Sequence, residues 1–230
     1  MTHLRRLPVA IVGRRNIVGD VIEVLVARPP DFVFAAGQHV QIEVDKLHQR
    51  DQRGTSRVFS LSSSPHDTDV LSFAFRRSES GFKQTLERLS IGSRVRISGP
   101  YGHVTLTDES RRPRILLAHG VGITPYISMA RFAAESMLSV PLTVLYSVVS
   151  RAHAAYLSEL QVCANANPSM TLQLRTGALS SNDLSQARRE WPDAVWYLSG
   201  PPTRVHHLSL ALRDIGVPDD DVVSEEFIGY

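Results

Sequence analysis

The residues best suited to chemistry lie in Arg114-Ile-Leu-Leu-Ala-His-Gly-Val-Gly-Ile-Thr-Pro125, an apolar run that breaks into glycines and restarts on threonine and proline. Near-continuous Ile and Leu from Arg114 to Ala118 reads as a short strand covered on both faces. Gly120 and Gly122 permit a sharp turn and a close approach of backbone to a ligand. Thr124 as N-cap and Pro125 at the first helical position predict a helix whose free amide hydrogens and positive dipole end face that turn. Such an end suits a phosphate or diphosphate. From this motif alone a tight strand-to-helix turn with no ligand reads equally well, and it is not the GxGxxG dinucleotide fingerprint.

Two further stretches bear on the same chemistry. Ser199-Gly-Pro-Pro202 repeats the pattern of strand, glycine and proline opening a helix. Gly81-Phe-Lys-Gln-Thr-Leu-Glu-Arg-Leu89 has Phe82, Leu86 and Leu89 at helical spacing, with Gly92 beyond its end. Lys83 in its first turn is unfavourable for the helix dipole unless an anion sits there, and a diphosphate is one such anion. A solvated lysine on a capping helix is the plainer reading.

These residues need a scaffold, and its period changes along the chain. In residues 1–110, Val9 to Val18, Asp20 to Ala27, Gly37 to Val44, Arg57 to Ser63, Val70 to Arg77 and Arg94 to Ser98 read as six short strands. They suggest a small antiparallel barrel with one inserted helix from Gly81 to Leu89. Leu47 to Ser56 is polar and reads as a loop. After the polar linker Asp108 to Pro113, residues 111–230 alternate five strands (Arg114 to Ala118, Leu142 to Val149, Thr171 to Thr176, Val195 to Ser199, Val222 to Phe227) with four helices. These helices run near Pro125 to Ser136, Ala152 to Ala164, Asn182 to Glu190 and Pro202 to Ile215. Parallel neighbours need crossovers of that length, so this half is predicted to be an α/β parallel sheet. Ligands bind beyond the carboxyl ends of such strands. Two glycine–proline loops meeting at that edge favour a nucleotide.

Composition bounds the rest. The 230 residues are 43% hydrophobic and 21% charged, with a net charge of +2, which argues for neither nucleic acid nor a membrane surface as partner. No run approaches the roughly 18 apolar residues of a spanning helix, and the first residues carry no signal-peptide core. A cytoplasmic location is expected. The single cysteine, Cys163, sits among Leu160, Val162 and Ala164 and reads as a buried core thiol. One cysteine forms no intrachain disulfide and cannot ligate an iron–sulfur cluster alone. The nine histidines are scattered and no metal site is expected.

Taken in order, Arg57-Val58-Phe59-Ser60, Gly99-Pro-Tyr-Gly102, Gly120-Val-Gly-Ile-Thr-Pro125, Ser199-Gly-Pro201 and the tail Glu225-Glu-Phe-Ile-Gly-Tyr230 resemble the ferredoxin–NADP+ reductase superfamily of flavin-dependent oxidoreductases. The resemblance runs through nearly the whole chain. It implies FAD on the barrel, NADPH or NADH on the α/β half, and hydride transfer to the flavin where the halves meet. It further implies that Arg57 bonds the flavin phosphates, that Val58 belongs to the same cofactor-binding run, and that Phe59 and Ser60 line the isoalloxazine and its N5 side. Phe59 stands where the family usually has tyrosine, so a phenol hydrogen bond is absent. Ser62 and Ser63 would extend that strand end toward the flavin edge. Phe75 and Arg76 correspond to the strand meeting the adenylate half, and Phe82, Lys83 and Gln84 open the pyrophosphate helix. Gly37 and Gln38 resemble a structural Gly-Gln pair.

On the nucleotide side the resemblance implies contacts from Gly120, Gly122 and Thr124 to pyrophosphate and nicotinamide ribose, with Gly200 and Pro201 beside the nicotinamide. The family commonly has cysteine at Ser199 and glycine at His119. Serine keeps size and a polar tip; His119 reads as a satisfied buried histidine or a proton relay. Ser150, Arg151 and Arg175 sit where a 2′-phosphate could be gripped, a lean toward NADPH. Ser60, Ser199, Glu225 and Tyr230 are the catalytic candidates, with Tyr230 expected either to cover the flavin or to pack on the sheet. The expected activity is NAD(P)H oxidation with electrons passed to a separate iron–sulfur or other redox protein. Reduction of free flavin, quinone or ferric complexes is the alternative within enzymes, and a non-catalytic flavin or nucleotide sensor the alternative outside them.

Overall fold

A computed structural model describes residues 6–107, 109 and 111–226. The N-terminal strands are β1 (Leu7–Val18), β2 (Val21–Ala27), β3 (His39–Glu43), β4 (Ser56–Ser60), β5 (Val70–Arg76) and β6 (Arg94–Tyr101), with helix α1 (Gly81–Arg88) between the last two. They form one antiparallel sheet in the order β4-β3-β6-β1-β2-β5. Its two edge strands meet through a Leu61–Phe73 bridge and the bond from Ser62 N to Ser72 O at 2.7 Å, so the sheet curls into a barrel. Closure leaves few edge amides open to other chains.

Alternation decides what fills the barrel. On β3, Val40 and Ile42 are buried, and they pair with Phe59 and Arg57 of β4. Those four side chains therefore share the inner face, while Val58 points out at 51% exposure. Phe59 stacks on Phe73 with centroids 4.9 Å apart and also meets Phe75 and Phe82. Phe82 and Leu86, both fully buried, fasten α1 to this aromatic core. At the other end of α1, Arg14 donates to the carbonyls of Leu86 and Leu89, which satisfies acceptors left open by the helix terminus.

The second half holds β7 (Arg114–His119), β8 (Leu142–Val148), β9 (Met170–Thr176), β10 (Val195–Gly200) and β11 (Val222–Glu226), all parallel in the order β11-β10-β7-β8-β9. Helices α2 (Thr124–Glu135), α3 (Leu157–Ala166), α4 (Ser181–Glu190) and α5 (Pro202–Asp214) make the crossovers. The chain starts in the middle at β7, steps outward through β8 and β9, then returns to the other side with β10. The order therefore reverses between β7 and β10, and their carboxyl ends open a crevice there.

The halves are packed on each other. Val21, Ala36, Ala74, Val104 and Leu106 of the first half belong to the same buried cluster as Tyr126, Met129 and Ala130 of α2. Hydrogen bonds cross the seam: Ser128 Oγ donates to Ser63 O at 2.6 Å, Arg131 to Ser62 O at 2.6 Å, and Ser64 Oγ to Glu135. The carbonyls of Ser62 and Ser63 thus dock α2, while their buried hydroxyls are engaged within the barrel half, Ser62 Oγ with Glu23 and Ser72 and Ser63 Oγ with the Ser72 amide. Among the described residues no helix is long and apolar enough to cross a membrane.

Candidate functional site

A cavity of about 790 Å³ opens at the crevice and is lined from both halves. The barrel contributes Arg57, Arg76, Arg77, Ser80 and Lys83; the α/β half contributes His119, Gly120, Gly122, Gly200, Pro201 and Arg204. Asp20 is the one acid in this lining, and it pairs with Arg76 at 3.3 Å. Burial, followed by the charges of Arg53, Arg57 and Arg76, lowers the pKa of Lys83. Like charges gathered this closely suit a multiply charged anion.

The two glycine loops hold one another. Ser199 Oγ donates to Gly122 O at 3.1 Å, and Ser199 is buried, so its side chain ties the loop after β7 to the end of β10 instead of facing the cavity. A short 3-10 turn, Gly120–Ile123, precedes α2. As a result Thr124 is the first residue of α2 and not its cap; its hydroxyl donates back to Val121 O at 2.7 Å, and Thr124 is buried. His119 is anchored with Nδ1 2.9 Å from Ser147 Oγ, whose hydroxyl donates to Ala118 O at 3.1 Å. Its pKa is lowered by burial, then by Arg204 and Arg76, which keeps the ring neutral near pH 7.

At the barrel lip the geometry is more specific than the sequence suggested. Ser80, the N-cap of α1, accepts from Lys83 N at 3.4 Å. The Asp51 carboxylate, from the loop between β3 and β4, accepts from Phe82 N at 3.0 Å, Ser80 Oγ at 2.7 Å, Arg53 N at 2.9 Å and Arg57 Nη2 at 2.5 Å. The Arg57 guanidinium also donates to the Arg53 and Ser56 carbonyls and lies 5.3 Å from the Phe82 ring centroid. Burial pushes the Asp51 carboxyl up, but the Phe82 amide, Ser80, Arg53 and Arg57 together hold it far below the usual carboxylate range.

Of the sequence-derived candidates, Arg57, Arg76, Lys83, Gly120, Gly122, Gly200 and Pro201 meet at this cavity. Phe59, Phe75 and Phe82 do not: the side chains of all three belong to the barrel core. Gln84 and outward-facing Val58 are not among the cavity-lining residues. Ser150 Oγ pairs with His153 Nδ1 at 2.7 Å, Arg151 borders a different crevice beside Tyr156, and Arg175 is paired with Asp183 at 2.8 Å. None of the three reaches the cavity, because the 3-10 turn Arg151–His153 and the capping box of α4 hold them elsewhere. Tyr230 lies outside the described residues.

A separate constellation forms where His39 of β3 meets Glu225 of β11. Ser60 pairs with His39 across the β3–β4 ladder, and His39 Nδ1 lies 2.8 Å from Glu225 Oε1. Ser60 Oγ and Glu225 Oε2 are buried without a hydrogen-bond partner among the described residues. Buried polar atoms are rarely left so. A polar ring edge placed there would supply what Ser60 lacks, and the cationic cavity suits the phosphates of the same molecule. The residues present therefore fit a flavin nucleotide. Sequence reasoning missed Asp51, Asp20 and Arg204; only Ser80 carried a signal, as a serine directly before the helical run.

Residues 14–106 match the model of the oxidoreductase FAD-binding domain family. Over 61% of its length the chain is 32% identical to methane monooxygenase component C of Methylosinus trichosporium, covering 40% of that protein. Over 99% of its length it is 22% identical to the ferredoxin–NAD(P)+ reductase component of the naphthalene 1,2-dioxygenase system of Pseudomonas putida, covering 71% of it. The fold superimposes on ferredoxin–NADP+ reductase from Plasmodium falciparum with a TM-score of 0.79 at 18% identity, covering 96% of both chains. The class that these comparisons define is one of architecture: residues 14–106 are similar to an oxidoreductase FAD-binding domain, and the whole chain has the two-domain fold of ferredoxin–NADP+ reductase.

Proposed function

We propose that this chain is a FAD-dependent NAD(P)H oxidoreductase that delivers electrons to a separate redox protein, a ferredoxin-type iron–sulfur protein being one candidate. In this reading residues 1–110 hold FAD and residues 111–230 hold the nicotinamide nucleotide. The observation that carries it is the placement of a cationic barrel lip opposite two glycine loops across one cavity. Bound FAD would supply the capacity to accept a hydride from NAD(P)H and to release the two electrons singly.

The protein's own work is positioning. Arg57, Arg76 and Lys83 neutralise the flavin phosphates, and the Ser60 hydroxyl hydrogen-bonds the ring edge. Gly120, Gly122, Gly200 and Pro201 let the nucleotide backbone approach closely, with Ser199 keeping the two loops in register. Such preorganisation would hold the hydride donor and acceptor atoms together without an acid or base at the transfer step. Glu225, with Oε1 2.8 Å from His39 Nδ1, remains a catalytic candidate in this reading, as does Tyr230 outside the described residues. The relatives named as reductase components of oxygenase systems support a separate acceptor for this chain.

The occupation of the phosphate-facing lip by Asp51 favours a second reading, a reductase whose flavin is loosely held and exchanged as a substrate. Gel filtration of the FAD-loaded protein separates the two. Flavin that stays with the protein and is bleached by NADH or NADPH supports the bound-cofactor reading. Flavin that elutes separately yet is reduced catalytically supports the free-flavin reading, and absence of reduction in either assay contradicts both.

A further inference from the structure

We infer that Asp51 is an internal anion seated in the flavin-phosphate position, and that FAD binds this chain by displacing the Asp51 carboxylate from Arg57 and the α1 N-terminus. The inference rests on the reading that the barrel half binds FAD. Three groups that would otherwise receive a phosphate oxygen are already committed to Asp51: the Phe82 amide at 3.0 Å, the Ser80 hydroxyl at 2.7 Å and the Arg57 guanidinium at 2.5 Å. Both charged side chains of the pair are only 7% exposed.

The loop that carries Asp51 lies tightly on the helix. A Cβ at position 81 would lie 2.5 Å from Gln49 O, and His48 N donates to Thr85 Oγ1 at 2.9 Å. A phosphate and this loop therefore cannot share the helix end. The reason an acid was recruited there is electrostatic. The first turn of α1 has no acidic residue and carries Lys83, so the positive end of the helix is uncompensated by the helix itself. Asp51 supplies the missing charge from a segment 31 positions earlier.

Displacement exchanges one carboxylate for a more highly charged diphosphate that also reaches Lys83 and Arg76. The exchange is favourable to those cations and unfavourable to the loop, which loses its hydrogen bonds. The consequence is a barrel that folds without FAD and holds it less tightly than its cationic lip alone would allow.

The test compares FAD, FMN and riboflavin binding by fluorescence quenching in wild type and Asp51→Asn, with thermal melting of the flavin-free proteins. The amide variant keeps the shape and one acceptor while removing the competing charge. Expected are FAD affinity raised about tenfold or more, unchanged riboflavin affinity, and a lower melting temperature without flavin. Unchanged or weakened FAD binding by the folded variant overturns the inference, since Asp51 would then be a support that orients Arg57 for the phosphate. In wild type, hydrogen exchange over residues 47–54 should speed up on adding FAD; slower exchange there overturns it equally. If neither form binds any flavin, the flavin reading itself fails, an outcome distinct from a variant that binds FAD no better than wild type.

Discussion

Tyr156 Oη donates to Glu23 Oε1 at 2.9 Å, joining the start of α3 to the second strand of the barrel across 133 positions of sequence. Glu23 is fully buried at the seam between the halves, and Ser62 Oγ donates to the same oxygen at 2.6 Å while Arg15 binds the other. Arg131 extends the network to Glu159 and to Ser62 O. The crevice geometry depends on this seam, since it sets how the barrel lip faces the glycine loops.

Tyr156→Phe keeps the ring but leaves the buried carboxylate one donor short. Loss of a hydrogen bond to a charged group costs about 1.5–3 kcal/mol, and urea unfolding should show a loss of that size. A change within about 0.5 kcal/mol, the scale of an ordinary surface substitution, would mean the network does not hold the halves together.

The same carboxylate makes stability depend on acid. Burial raises its pKa, but the Arg15 and Ser62 hydrogen bonds with the charges of Arg15 and Arg131 outweigh this, and the folded value lies below the ordinary 4.5. A depressed folded pKa gives stability that is complete above the unfolded pKa and is lost as pH falls through the folded one. Urea midpoints should therefore hold from neutrality to just above pH 4.5 and fall below it. Glu23→Gln should be less stable at neutral pH and show a shallower fall in the acid range; equal acid slopes would assign the effect to other carboxyls.

Gly37 sits where α2 crosses the barrel. Its φ is +99°, and a Cβ there would lie 2.3 Å from both Met129 Cε and Val104 O. The methionine end can move, but the carbonyl cannot. Gly37→Ala is predicted to destabilise by about 2 kcal/mol or more, measured by thermal or urea unfolding, and a neutral result would show that this crossing has slack.

Arg204, not Arg151 or Arg175, is the arginine that the α/β half brings to the cavity. Arg204→Ala should weaken NADPH or NADH binding several-fold in a titration, about the effect of removing one charge-assisted contact, while Arg151→Ala should leave it unchanged. The reverse pattern would move the nucleotide phosphates to the other crevice, beside Tyr156.

The elements themselves were legible because their periods are local. Alternation over β3 and continuous apolar residues over β7 and β8 needed no knowledge of partners. The N-terminal end of α1 was readable from Phe82 and Leu86. What sequence could not carry was which way a strand faces and what a loop carboxylate meets. Phe59 turns inward because β4 pairs with β3 in the register Phe59–Val40, a relation between segments that no window contains. Asp51 sits in a stretch that is polar throughout, where one acid looks like any other until the helix it caps is placed beside it. Glu23, an acid among the apolar residues of β2, is fully buried, and nothing in its neighbours along the chain shows the Arg15, Ser62 and Tyr156 that receive it.

In the proposed function the two halves bring a flavin and a nicotinamide nucleotide together across one crevice. Anaerobic rapid mixing of the FAD-loaded protein with NADH and, separately, NADPH tests it directly through the visible flavin absorbance. The predicted result is bleaching by at least one nucleotide, at a rate that saturates with nucleotide concentration and is slowed in Arg204→Ala. A protein that retains FAD yet is bleached by neither nucleotide, while chemical reductants still bleach it, would contradict the claim.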